Sequence, residues 1–340
     1  MTEWNSDLEK RILKRSRFTL VFRMLWILLV VLFVYVIYMF VVNFTADRLH
    51  VGNKHMYYSS LALEWKVPNV RGDLSFTRES VNTFGTHRLS YNLVKRVGLK
   101  EVVLGEAHVT KRLANQLSTI DYIHPGLQHL DYFTFFLPKD PRTNERLSAH
   151  ENPDVWETLA MLPEGTVAEL AFSTPKLMKP EEVLDQLRDY DIHILWMPLY
   201  TGEFVSFTPY SYGKSDDVLM VDDVIGLTGG IDRDEQYHES LQYHYLDQTS
   251  LKDSQQLMLK NMAELLEQST SYYEYFLGLG HLQEKYDYLE DEGFLVYGAV
   301  VTGPVKELLK LQQSEIVRGE QLGEIELWNW ELNRDVDRLE

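Results

Sequence analysis

His238, Glu239 and His244 are the nearest this sequence comes to a metal-binding or acid–base group. The two histidines are six positions apart, whereas H-E-x-x-H needs four so that one helix face presents both to zinc. They read as surface histidines in a tyrosine-rich loop. Asp216-Asp217, Asp222-Asp223 and Asp232-Arg233-Asp234 gather carboxylates of the kind that calcium takes several of at once. Arg233 and Gln236 interrupt the D-x-[DN]-x-[DN]-G spacing, so a solvated acidic loop is expected there. Gly278-Leu279-Gly280 follows a helical pattern rather than a strand, which makes it a helix stop and not a phosphate cradle. Neither G-x-S-x-G nor G-x-x-x-x-G-K-[ST] occurs. The 340 residues include no cysteine, which excludes thiolate nucleophiles, thiolate zinc sites and disulfides together. No catalytic residue, metal or cofactor is therefore expected, and the chain reads as a binding or regulatory protein rather than an enzyme.

Binding needs surfaces, and the elements that position them begin with a membrane segment. Met24–Val42 reads MLWILLVVLFVYVIYMFVV, 19 residues without a charge. A helix of that length spans a hydrocarbon core of roughly 30 Å. Ahead of it, residues 1–24 carry six bases and three acids, so the net charge of −18 leaves −21 for the rest. Only Arg48 and Lys54 are basic in residues 45–60. The positive-inside rule then places the N-terminus in the cytoplasm and residues 45–340 outside. So acidic a body repels phosphates, which argues against direct nucleic-acid binding. Residues 1–23 form a short basic amphipathic segment. Trp4, Leu8 and Ile12 recur every four residues and would share one helical stripe. That stripe can dock a cytoplasmic partner or rest on membrane lipid.

The expected fold class is α+β behind one transmembrane helix (24–44). Residues 45–137 comprise a juxtamembrane stalk over 45–64 and then a β-rich layer. Pro68 keeps its predecessor extended, and Leu89, Tyr91 and Leu93 alternate with polar residues. Residues 138–154 combine three prolines with many charges and read as a linker. Residues 155–340 hold two strand–helix–strand units. In the first, Thr166–Ser173 and Ile192–Leu199 flank a helix opened by Pro180; in the second, Phe294–Thr302 and Ile325–Trp330 flank one opened by Pro304. Such units can share one sheet, as in split βαβ folds. Between them lie a loop-rich insertion and a helix over Leu251–Leu277, with Ser250 and Asp253 as its capping box. Tyr200, Phe204, Phe207, Tyr210 and Tyr212 open that insertion and form the candidate extracytoplasmic binding surface, because exposed aromatics suit a partner interface.

The order of these segments resembles a known family. A membrane helix is followed by Trp65, Pro68, Asn69 and Val70 in W-x-x-P-N-V, and then by Leu89-Ser90-Tyr91-Asn92-Leu93. Next come LPEGTVAELAFS, the PEEVLDQLRDYD helix and ILWMPLYTG (Ile194–Gly202). Together they are similar to the sigma-factor-regulator family of Gram-positive bacteria, whose members include membrane-bound anti-sigma factors. The resemblance implies a regulator that holds an extracytoplasmic-function sigma factor inactive at the membrane, while its outer domain receives an envelope signal or binds a second membrane protein. The alternative is a membrane-tethered extracytoplasmic enzyme or accessory factor of the envelope.

Overall fold

The computed structural model describes residues 6–123, 133–215 and 217–330. The apolar run lies inside α1 (Ser6–Arg48), and most of its large apolar side chains are exposed; Met39 and Val42, near its end, are half-buried. It is the one helix among the described residues long and apolar enough to cross a membrane. No break separates the basic segment from the apolar one, so residues 6–23 continue the same helix instead of forming a separate collar.

The chain turns at Leu49-His50, where His50 adopts a left-handed φ of 48°, and enters α2 (Val51–Lys66). Here the expected stalk is overturned. Met56, Tyr57, Tyr58, Leu61, Leu63 and Trp65 are all buried, so α2 is the central helix of the body. Its sequence shows no amphipathic stripe because all of its faces are covered. Several of the polar atoms that this burial traps are paired. Tyr57 donates to Asn261 Oδ1 at 3.0 Å, and Tyr91 donates to Ser59 Oγ at 3.1 Å.

Strands β1 (Val70–Val81), β2 (His87–Val97), β3 (Lys100–Lys111) and β4 (Thr119–Ile123) form an antiparallel meander in that order. Leu89, Tyr91 and Leu93 turn one face of β2 onto α2, as their alternation requires. After the short helix α3 (Pro153–Met161) comes β5 (Thr166–Met178), then α4 (Pro180–Leu187) and β6 (His193–Tyr200).

The insertion is more ordered than a loop. It holds the hairpin of β7 (Tyr212–Ser215) and β8 (Val218–Val221), then β9 (Gly226–Thr228), and the pair β10 (Ile231–Arg233) and β11 (Glu239–Gln242). α5 (Leu251–Leu266) stops eleven residues short of the expected helix end, and Ser271–Phe276 forms a π-helical turn before α6 (Leu282–Glu292). Ser250 does not cap α5. Asp247 Oδ1 instead accepts from the Thr249 and Ser250 N–H groups, both at 2.8 Å.

β12 (Leu295–Pro304), α7 (Val305–Lys310) and β13 (Arg318–Leu327) complete the second sheet, in the order β13-β5-β12-β6-β9 with every neighbour antiparallel. β12 thus separates β5 from β6, which run parallel and are joined through α4. β5 likewise separates β12 from β13, joined through α7. Residues 138–154 do not divide two cores: one hydrophobic cluster contains Trp65, Tyr91 and Leu93 together with Leu170, Phe172 and Met197.

Candidate functional site

The five aromatic residues expected at a surface divide three ways. Tyr200 ends β6, where both faces are covered, and it is a core residue rather than a surface one. Its hydroxyl donates to Glu203 O at 3.0 Å and its ring meets Tyr288 edge-on at 5.5 Å. Beyond it the chain turns sharply at Gly202, whose φ of +88° favours glycine. Glu203 is buried there and accepts from Thr201 N and Oγ1, each at 2.7 Å. Phe204 and Phe207 are half-buried, whereas Tyr210 is 67% exposed and Tyr212 43%.

The last four form two contact groups. Tyr212 meets Phe204 edge-on at 5.0 Å, and the Arg142 guanidinium sits 4.6 Å from the Phe204 ring centre. Phe207 stacks on His281 at 4.6 Å, and Tyr210 lies against the same imidazole at 4.2 Å. His281 opens α6 with a left-handed φ of 55°, and its Nε2 is buried without a hydrogen-bond partner.

This aromatic lip adjoins a pocket of about 400 Å³, within the range of small-molecule sites. Leu63, Val67, Phe135, Trp196 and Val224 give the pocket apolar walls, and Lys66 and Asp223 bring charge to it. Lys285 connects pocket to lip. Its buried ammonium donates to Asp223 O at 2.8 Å and lies 5.9 Å from the Phe207 ring centre. Burial holds Lys66 below the ordinary lysine range, Asp223 opposes that shift, and Lys285 adds to it. Gly278 leaves room for this side chain, since a Cβ there would come within 2.7 Å of Lys66 Nζ. What converges here is an apolar wall, the Lys66 ammonium and the adjacent carboxylates of Asp222 and Asp223, an arrangement that can hold an amphiphilic organic group. Among the described residues no cluster of three or more His, Cys, Asp or Glu could hold a metal ion.

A second polar constellation, absent from the sequence reading, lies between the two sheets. Asn69 adopts a left-handed φ of 56° after Pro68, and its Nδ2 donates to Arg96 O at 2.8 Å and Glu169 Oε1 at 2.6 Å. Glu169 has no exposure and pairs with Lys95 at 2.7 Å. Burial still pushes its carboxyl above the ordinary range, against the pull of Lys95 and Asn69. Nearby, Trp196 Nε1 donates to Glu64 O at 3.1 Å. Glu64 Oε2 is buried with no partner beside a void of about 40 Å³, and burial pushes this carboxyl up to about 7 although Arg71 opposes the shift. Two signals for this site were present: an asparagine directly after proline, and one glutamate inside the apolar run of TVAELAF.

Of the expected cytoplasmic contacts, Trp4 lies outside the described residues. Leu8 and Ile12 fall one turn apart on α1, and Ile12 is exposed.

Comparison with known proteins decides the family. The domain described as Sigma factor regulator N-terminal matches residues 10–102, and Sigma factor regulator C-terminal matches residues 159–324. The chain belongs to the sigma-factor-regulator family. It is also similar to the "Probable anti-sigma-M factor YhdL" of Bacillus subtilis (strain 168), at 26% identity over 292 residues, 82% of this chain and 71% of that protein. No solved structure matches. Within this sigma-factor regulator the N-terminal domain carries α1, α2, β1 and β2, and the C-terminal one carries the five-stranded sheet. Asn69 and Lys95 on one side and Glu169 on the other therefore join the two regulator domains.

Proposed function

We propose that this chain is a single-pass membrane anti-sigma regulator. Its N-terminal segment holds an extracytoplasmic-function sigma factor inactive at the cytoplasmic face, directly or through a second membrane protein, and its body reads an envelope signal outside. The observation that carries this reading is the joining of both regulator domains to one helix whose apolar side chains are mostly exposed and whose bases gather ahead of the apolar run. Bases on that side orient the helix with its N-terminus inside. The pocket and the aromatic lip then face the envelope, where an amphiphile or a partner protein would be sensed.

Trp4, Leu8 and Ile12 follow the i, i+4 spacing of a helix-in-groove anchor. Burying each contributes roughly 1.5–3 kcal/mol. Replacing all three with alanine removes the partner contact without touching a charge. Replacing Lys10, Lys14 and Arg17 with glutamine weakens lipid attraction by about 1 kcal/mol per base and leaves the partner bound.

The test compares both triple variants for sigma-factor recovery from solubilised membranes and for transcription of the target genes. Release and raised transcription with the alanine variant alone support direct docking. Wild-type recovery and transcription with that variant, at normal abundance, would overturn it. Orientation is read separately with single cysteines, for which this cysteine-free chain is suited. An impermeant maleimide should label position 205 in intact cells and position 6 only after permeabilisation, and the reverse order would sink the topology.

A further inference from the structure

The contact between α1 and the first hairpin sets a depth. Tyr38 lies four residues inside the end of the apolar run at Val42, about 6 Å along the helix axis. Its hydroxyl donates to Thr83 O, in the turn between β1 and β2, at 2.9 Å. With α1 in the membrane, that turn reaches the edge of the hydrocarbon core.

The same end of the sheet carries a second loop. His87 pairs with Lys111, and Thr110 with Thr119, which puts residues 112–118 beside the turn at 82–86. Both segments display large apolar side chains to the outside: Phe84 is 80% exposed, Leu113 89% and Leu117 63%. Both are also held rigidly. Asn82 Oδ1 accepts from Phe84 N at 2.9 Å and Thr86 N at 3.0 Å, fixing the turn behind Phe84. Ser118 Oγ accepts from Arg112 N at 2.9 Å, and Asn115 Nδ2 donates to Ser271 Oγ at 2.9 Å. Arg48, Arg88 and Arg112 lie exposed on α1 and at this end of the sheet. Apolar tips flanked by bases match a membrane interface, with hydrocarbon for the tips and anionic headgroups for the bases.

We infer that this end of the four-stranded sheet docks into the outer leaflet, with Phe84 and Leu113 as wedges, so that the body is held against the bilayer and does not swing on its helix. The inference rests on the membrane-anchor reading and adds a second, peripheral attachment to it.

The test uses the full-length chain in vesicles of phosphatidylglycerol and phosphatidylcholine, with one cysteine at a time carrying an environment-sensitive fluorophore. Labels go at positions 84 and 113, at 28 within the apolar run, and at 205. The last position lies in the turn after β6, between Phe204 and Phe207 of the lip; the lip adjoins the pocket to which Lys66 contributes, and Lys66 ends α2 about 22 Å along the axis from Val51. Spin-labelled lipids with shallow and deep quenchers report depth. Docking predicts blue-shifted emission and shallow quenching at 84 and 113, deep quenching at 28, and neither at 205. Labels at 84 and 113 that behave like 205, with 28 deeply quenched, overturn the docking and leave the anchor intact. A label at 28 that stays unquenched overturns the anchor and the docking with it.

Discussion

Replacing Lys95 with methionine tests what joins the two regulator domains. The substitution keeps most of the aliphatic stem and removes only the ammonium, 2.7 Å from the fully buried Glu169. Asn69 Nδ2 at 2.6 Å remains, and Glu324 N at 3.4 Å is too distant to compensate. Breaking a buried pair by removing one partner costs about 3–5 kcal/mol, because the other charge stays buried. For a body of this size that is roughly 6–20 °C in Tm. Glu169 can escape by taking a proton, and burial already pushes its carboxyl upward. In the variant, therefore, stability is present at acid pH and lost as pH rises through the folded value, so the deficit against wild type widens with pH. Changing Glu169 to leucine as well removes the stranded charge and should recover most of the loss. Thermal unfolding of the detergent-solubilised chain, followed by near-ultraviolet dichroism at several pH values, measures all three. A Lys95→Met chain within about 1 kcal/mol of wild type would refute the reasoning, as would a deficit that ignores pH or a double variant no better than the single one.

The remaining tests address single positions. Burial moves Glu64 from 4.5 to about 7, so its stabilising contribution is full below about 4.5 and lost as pH rises through about 7. The stability gained by Glu64→Gln should then grow from pH 5 to pH 8 by roughly 2.5 kcal/mol in equilibrium unfolding; a constant difference would show that the carboxyl does not titrate there. At Asn69, glycine keeps the left-handed φ of 56° and alanine does not. Asn69→Gly should therefore unfold about 1–2 kcal/mol less readily than Asn69→Ala, although both lose the bond to Glu169. Tyr210→Ala and Tyr212→Ala should stay within about 0.5 kcal/mol of wild type, because both rings are exposed. Tyr200→Ala should cost about 3–5 kcal/mol, because its ring is core. Equal losses at all three positions would erase the distinction between lip and core.

What the sequence disclosed follows from the range of each interaction. Pro180 and Pro304 mark helix starts by their own ring geometry, and the alternation at Leu89, Tyr91 and Leu93 marks a half-buried strand. Both effects are local, so both were legible. α2 was not, since a helix covered on every side has no polar face to set a period. Tyr200 misled for a related reason. A strand buried on both faces reads as a plain apolar run, and its end is not marked. The junction was hidden by separation, because Asn69 and Glu169 are 100 residues apart and neither shows its partner in its own neighbourhood. An apolar strand with one glutamate in it states only that a cation must come from elsewhere.

The illegible helix is also the one that joins α1 to the candidate site. α2 starts within three residues of the end of α1, and its last turn supplies Leu63 and Lys66 to the pocket wall. Along the way Glu64 O accepts from Trp196, which lines the same pocket from β6. A group bound against Lys66 therefore touches the helix that leads straight to α1, with one turn at Leu49-His50 between them. The route from lip to span passes through a single rigid element and no flexible linker. If the body is also fixed to the bilayer by Phe84 and Leu113, the turn at His50 is where a shift of α2 against the membrane must be absorbed, because the elements on either side of it are helical and held. A stalk would have let the body move without moving α1. A buried α2 does not.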